Sequence, residues 1–165
     1  MAIEATNEFD NFLGFDIRTD GQRGSFLNLP SKNNKDSIID TIDFLSGGFS
    51  PIQMNGQEVY KFAVREVPII LEKLFRKINF SSDEVDWLVL HQANQRILDS
   101  VGERLKIPRE KVLSNLEKYG NTSAATIPLM MDEAIRNNII KQNDIIATSG
   151  FGAGLSWGAA LIKWG

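Results

Sequence analysis

The chain has 165 residues, 42% of them hydrophobic and 24% charged, with a net charge of −3. That length suits a single domain over residues 1–165 with a real core, and the acidic balance argues against a nucleic-acid partner. There is no cysteine, which removes disulfides, thiolate metal sites and thiol catalysis from this chain, and no apolar run approaches the roughly 20 residues of a membrane span. The opening MAIEATNEFD lacks the basic flank and apolar core of a signal peptide. A cytoplasm-like compartment is therefore expected, and the sequons at Asn79 and Asn121 carry no weight.

In chain order, FLGFDIR (12–18) reads as a short strand, and TDGQRG (19–24) turns the chain with two glycines. From Ser25 to Ser50 periodicity is weak, and Pro, Asn, Ser and Gly are frequent. Such long excursions often form binding loops. From Gln57 the pattern turns helical: Tyr60, Ala63, Val64, Val67, Leu71, Leu74, Phe75 and Ile78 make one core-facing stripe. Pro68, inside it, is expected to kink the helix or remove a hydrogen bond. Ser81-Ser82-Asp83-Glu84 signals a helix start or turn, and DWLVLH (86–91) a short buried strand.

NQRILDSVGERLK (94–106) is an amphipathic helix with Ile97, Leu98, Val101 and Leu105 on one face, ended by Pro108. KVLSNL (111–116) reads as a weak strand, and EKYGNTSA (117–124) as a loop into a helix. That helix spans about Ala125 to Asn138 and buries Ile127, Met130, Met131, Ala134 and Ile135. DIIATSG (144–150) is a buried strand, FGAG a glycine turn, and LSWGAALIKW (155–164) a last strand. Strands alternating with helices indicate an α/β layered domain.

Three motifs invite chemistry. SGFGAG (149–154) has the glycine spacing of a phosphate loop, but that reading needs a helix to follow. A β-branched and aromatic strand follows instead, so a tight turn whose backbone N–H groups approach something is the better reading. His91 is the only histidine. Lone histidines are often structural, yet this one ends an apolar strand, where α/β sheets place functional groups. Gln92 and Asn94 follow it, able to bind a ligand or orient the ring, and no zinc-ligand pattern accompanies it. YGNTSAA (119–125) is either a turn with a helix cap or an amide presented to a ligand at a helix N-terminus. A neutral imidazole N–H and an Asn side-chain N–H would make a suitable pair of donors for an enolate or oxyanion.

Taken in order, HQANQRI, YGNTSAATIP and GFGAGLSWGAAL resemble the C-terminal half of β-ketoacyl-acyl-carrier-protein synthase III. DGQRGSFLNLP and MNGQEVYKFAV extend the resemblance from about Leu13 to the end. The resemblance implies an α/β fold, a thiolase-like half made of a mixed β-sheet covered by α-helices. It implies fatty acid biosynthesis initiated from acetyl-CoA and malonyl-carrier protein, with no cofactor, by a Cys-His-Asn set. His91 matches the family's histidine and Asn121 its asparagine, both donating hydrogen bonds to the malonyl thioester oxygen as enolate charge builds.

Other residues match in turn. Phe151 matches the aromatic beside the acyl and malonyl groups, and the Ala153 N–H one donor of a second oxyanion hole. Gly56 and Asn94 match positions lining the pantetheine tunnel. Lys61, Arg65, Arg96 and Arg104 would form a basic patch for acyl carrier protein. Lys61 and Arg96 match best, and a solvated helix face is an equal reading of the other two.

One departure dominates. The family's nucleophilic cysteine belongs to its N-terminal half, and MAIEATN is expected to begin inside the strand before the C-terminal half. The chain is then about half an enzyme: a truncated gene model, a fragment, or one subunit of a split protein. It would be inactive until it meets the N-terminal half or a sister chain, in a family that is homodimeric and works in the cytoplasm or a plastid stroma. Two alternatives stand beside this reading: a fragment of a type III polyketide synthase, and a non-catalytic module that binds a carrier protein or sister chain.

Overall fold

In the computed structural model, which describes residues 11–30 and 51–165, strand β1 (Phe12–Thr19) comes first and a short 3₁₀ turn (Gly21–Phe26) follows. The Asp20 carboxylate caps that turn by accepting from the Gln22 N–H. The expected long excursion is partly structured: β2 (Leu27–Asn28) pairs antiparallel with β3 (Gln53–Met54). Residues 31–50, and the strand expected at MAIEATN, lie outside the described residues.

Helix α1 (Gly56–Lys77) opens on Asn55, whose side chain accepts from the Glu58 N–H. The backbone N–H of Asn55 donates to Phe26 at 2.8 Å, so the helix start is tied to the first turn. α1 runs as one helix through Pro68, whose missing N–H leaves the Val64 carbonyl without its usual helical donor. The predicted stripe is buried or packed on the core, but Val59, Phe62 and Ile70 are buried as well. More than one stripe of α1 is therefore covered.

β4 (Trp87–Leu90) follows a capping box at Ser81 and Glu84 and lies parallel to the later strand β5. α2 (Gln95–Leu105) stops with Lys106 in the left-handed region, φ 57°. The chain thus turns two residues before Pro108, the expected terminator. Gly102 is needed here, because a Cβ at that position would lie 2.8 Å from Val112 Cγ2. KVLSNL is not a strand: Val112 makes a single parallel bridge to Leu88, and Leu113 N–H donates to Leu88 O at 3.0 Å.

A one-turn helix α3 (Leu116–Tyr119), a 3₁₀ turn at Ser123–Ala125 and α4 (Thr126–Arg136) follow. β5 (Ile145–Gly152) and β6 (Ser156–Lys163) pair antiparallel through Gly152↔Ser156. Half of the expected glycine turn is therefore strand. The sheet order is β1-β6-β5-β4, a mixed sheet because only β4–β5 is parallel.

Alternation along the strands divides the core. Leu88, Leu90, Ala147, Ala159 and Leu161 point to the face covered by α1 and α2. Val89 and Ile146 point to the other, against Met130, Met131 and Ala134 of α4. Among the described residues no helix is long and apolar enough to cross a membrane.

Gln92, expected to bind a ligand or orient the ring, is turned inward and fully buried. Its Nε2 donates to Leu90 O at 2.8 Å and Leu113 O at 3.3 Å, and its Oε1 accepts from the Asn115 N–H at 3.2 Å. Replacing it with Leu strips partners from three buried backbone groups. We expect Gln92→Leu to lower unfolding free energy in urea by about 2–3 kcal/mol, as unsatisfied buried polar groups do. A midpoint and slope like those of the parent chain would show that water replaces the side chain.

Candidate active site

His91 is placed by backbone pairing. Its N–H donates to Ser149 O at 2.9 Å, one step past the β4–β5 ladder, so the ring emerges at the carboxyl end of a parallel strand. Ala93 N–H then donates back to His91 O at 2.8 Å, and Asn94 caps α2 by accepting from the Arg96 N–H at 2.9 Å. This tight reversal lets the strand end and the helix begin within four residues.

The imidazole is half-buried. Nδ1 lies 2.7 Å from the Thr126 hydroxyl, and the ring sits edge-on to Phe151 with centroids 5.2 Å apart. Phe151 in turn meets Phe62 of α1 at 6.1 Å, and Phe62 meets Trp157 at 5.1 Å, both edge-to-face. Such geometry suits aromatic quadrupoles and limits ring motion. Burial lowers the His91 pKa from its ordinary 6.5, which favours the neutral ring.

Asn121 follows Gly120, which adopts φ 64° and ψ −154°. The side-chain Oδ1 accepts from the Ser123 N–H at 2.9 Å, so the NH₂ group is the half of the amide left to donate. Asn121 satisfies a turn with the oxygen end of its amide.

His91, Asn121, Phe151, Ala153, Gly56 and Asn94 all line one cavity of about 740 Å³. They come from five places in the chain: the α1 start, the end of β4, the α2 cap, the loop after α3, and the end of β5 with the turn that follows it. Leu29, Ile52 and Met54 line it too, yet are 50%, 71% and 63% exposed, so this part of the wall is apolar and open. Among the described residues no group of three His, Asp or Glu side chains could hold a metal ion.

The four basic residues lie on exposed helix surface outside that lining. Lys61 pairs with Glu58 at 2.7 Å, Arg65 with Glu66 at 2.8 Å, and Arg104 with Glu72 at 3.7 Å. Arg96 instead stacks its guanidinium 5.1 Å over the Tyr60 ring. The acidic neighbours offset part of the charge of the first three.

Two contributors were missed from sequence, Thr126 and Phe62. Thr126 reads as an ordinary first-turn helix residue, and nothing in its spacing marks it as a partner of His91. Phe62 lies off the predicted stripe, and only the aromatic contacts reveal its place.

Residues 75–164, more than half of the chain, match the family model "3-Oxoacyl-[acyl-carrier-protein (ACP)] synthase III C terminal". A beta-ketoacyl-[acyl-carrier-protein] synthase III of Prochlorococcus marinus (strain MIT 9312) is 90% identical over all 165 residues, which cover 49% of that relative. The counterpart in Synechococcus sp. (strain WH7803) is 57% identical over 99% of this chain and 48% of its own length. Among solved structures, a 3-oxoacyl-[acyl-carrier-protein] synthase III from Aquifex aeolicus VF5 superposes with a TM-score of 0.79 at 34% identity. That match covers 96% of this chain and 47% of the other. The chain thus spans about half the length of the curated relatives it matches. With the mixed α/β sheet and the motif order in agreement with these matches, the chain belongs to the C-terminal family of 3-oxoacyl-[acyl-carrier-protein] synthase III, a thiolase-like fold.

Proposed function

We propose that this chain supplies the decarboxylation half of a β-ketoacyl-[acyl-carrier-protein] synthase III, which starts fatty acid synthesis by condensing acetyl-CoA with malonyl-carrier protein. The observation that carries this reading is that His91 and Asn121, thirty residues apart, open on one cavity with Phe151 and Ala153. When a malonyl thioester loses carbon dioxide, the electrons of the broken C–C bond pass into an enolate whose charge rests on the thioester oxygen. The His91 N–H and the Asn121 NH₂ donate to that oxygen. A neutral ring is suited to this, because its N–H donates a hydrogen bond to the enolate without giving up the proton. The resulting carbanion attacks an acyl thioester on a cysteine, which this chain does not contain.

Phe151 packs beside the reacting groups, and the Ala153 N–H donates a hydrogen bond to the acyl oxygen of the electrophile. Gly56 and Asn94 border the path of the pantetheine arm, with the apolar wall of Leu29, Ile52 and Met54 along it. Lys61, Arg65, Arg96 and Arg104 meet the acidic carrier protein, Arg96 foremost because no acidic neighbour offsets it among the described residues. The compartment is cytoplasmic or plastid stroma, and the complete enzyme is a homodimer.

Three outcomes test this. The chain alone should give no acetoacetyl product, and should give it when mixed with the N-terminal half of a close relative. In that mixture His91→Ala or Asn121→Ala should lower turnover roughly 100- to 1000-fold, the effect of removing one preorganised donor. Unchanged turnover removes that residue from the reaction, and tight carrier binding without any turnover favours a non-catalytic binding module.

Arg96→Glu should raise KM for malonyl-carrier protein about tenfold, roughly 1.4 kcal/mol, leave kcat nearly unchanged, and lose its effect as salt rises. A salt-independent effect would place Arg96 outside the docking surface.

The third concerns pH. Because the folded-state pKa of His91 lies below 6.5, the unfolded chain binds the proton first as pH falls. The group's contribution to stability is therefore complete above about pH 6.5 and is lost as pH drops toward the folded-state value. An NMR titration should give a midpoint below 6.5, and His91→Asn should flatten the acid side of the stability profile. A midpoint above 6.5 contradicts the depression of the ring's pKa by burial.

A further inference from the structure

Thr126 is fully buried at the first turn of α4, and its single hydroxyl proton has two acceptors within reach. One is His91 Nδ1 at 2.7 Å, the other the Ser123 carbonyl at 3.0 Å. The choice decides which ring nitrogen of His91 carries the proton. If the hydroxyl donates to Ser123 O, Nδ1 must be the N–H and Nε2 is left with a lone pair. If it donates to Nδ1, Nε2 is the N–H and a donor.

We infer that Thr126 is the positioning residue that holds His91 in the Nε2–H form, by donating its hydroxyl proton to Nδ1. The distance to Nδ1 is the shorter of the two. The Ser123 carbonyl also keeps a donor without the hydroxyl, because it accepts the backbone N–H of Thr126. Giving up the longer bond therefore leaves no buried acceptor bare, whereas withholding the proton from Nδ1 turns a lone pair toward the enolate oxygen. The assignment rests on the decarboxylation reading only for that last point.

The same contacts tie the two donors together. Asn121 Oδ1 accepts from Ser123 N–H, the Ser123 carbonyl from Thr126 N–H, and Nδ1 from the Thr126 hydroxyl. One short turn, in which Ser123 takes φ 55°, thus fixes the amide and the imidazole relative to each other.

The single histidine makes the test direct. The chain is labelled with ¹⁵N-histidine, and a long-range ¹H–¹⁵N spectrum is recorded at a pH well above 6.5. The expected result is one tautomer pattern, with Nε2 protonated and Nδ1 an unprotonated, hydrogen-bonded nitrogen. Thr126→Val should shift Nδ1 to its free position and move the tautomer ratio by about fivefold, the equivalent of one net hydrogen bond. Thr126→Ser should restore the parent pattern. A parent chain with the proton on Nδ1 overturns the inference, as does a Thr126→Val spectrum identical to the parent's. If Thr126→Val does not fold, as judged by its backbone amide spectrum, the parent chain's pattern alone decides. A Thr126→Val spectrum identical to the parent's leaves the decarboxylation reading standing, whereas a parent proton on Nδ1 removes the His91 donor from that reading as well. A failure of complementation leaves the tautomer assignment standing.

Discussion

The parallel ladder between β4 and β5 is the constraint on which the site depends. It runs from Trp87↔Ile146 to Leu90↔Ser149 and is extended by His91 N–H to Ser149 O. A shift of one residue in a strand pairing sends every side chain to the other face. Here it would exchange Leu88 and Leu90 with Val89, put the wrong partners against α1 and α4, and carry His91 away from Phe151. The hydrophobic clusters on the two sheet faces therefore fix the register, and the register places the imidazole. The geometry of the candidate site is thus set by packing in the two core clusters.

Much of this was legible in the sequence, for identifiable reasons. Long periodic segments specify themselves: α1 and α2 fall where their apolar spacing puts them, and β1, β4 and β6 where their flanking turn residues do. The site motifs were legible because each sits at a junction, where a strand ends, a helix begins or a turn reverses. KVLSNL misled because β-branched and apolar residues mark burial as readily as strand. Val112 and Leu113 are buried against the sheet edge while pairing only once. The end of α2 misled because a left-handed Lys106 is invisible in composition, and Pro108 drew the eye instead. Thr126 was illegible because its role is a contact 35 residues away.

The site also separates two demands that burial usually sets against each other. A half-buried imidazole loses part of its solvation, which favours the neutral form. Yet a neutral ring has one N–H, and a site needing a donor must control where it points. The aromatic chain from Phe151 through Phe62 to Trp157 restrains the ring plane, and the buried Thr126 engages one nitrogen. Desolvation sets the charge and hydrogen bonding sets the direction, through different residues.

Gln92, adjacent to His91, answers to neither demand. Its three hydrogen bonds join the end of β4 to the segment that leads into α3, and Asn115 passes the connection on to Glu133 of α4 at 3.1 Å. Two consecutive letters of one motif thus serve unrelated ends, the proposed chemistry in one and scaffold in the other. Any selection that scores only growth would treat losses at both as the same defect. Chaperone supply or lowered temperature, which rescue a protein that folds poorly but not one that reacts poorly, would tell the neighbours apart in a living cell.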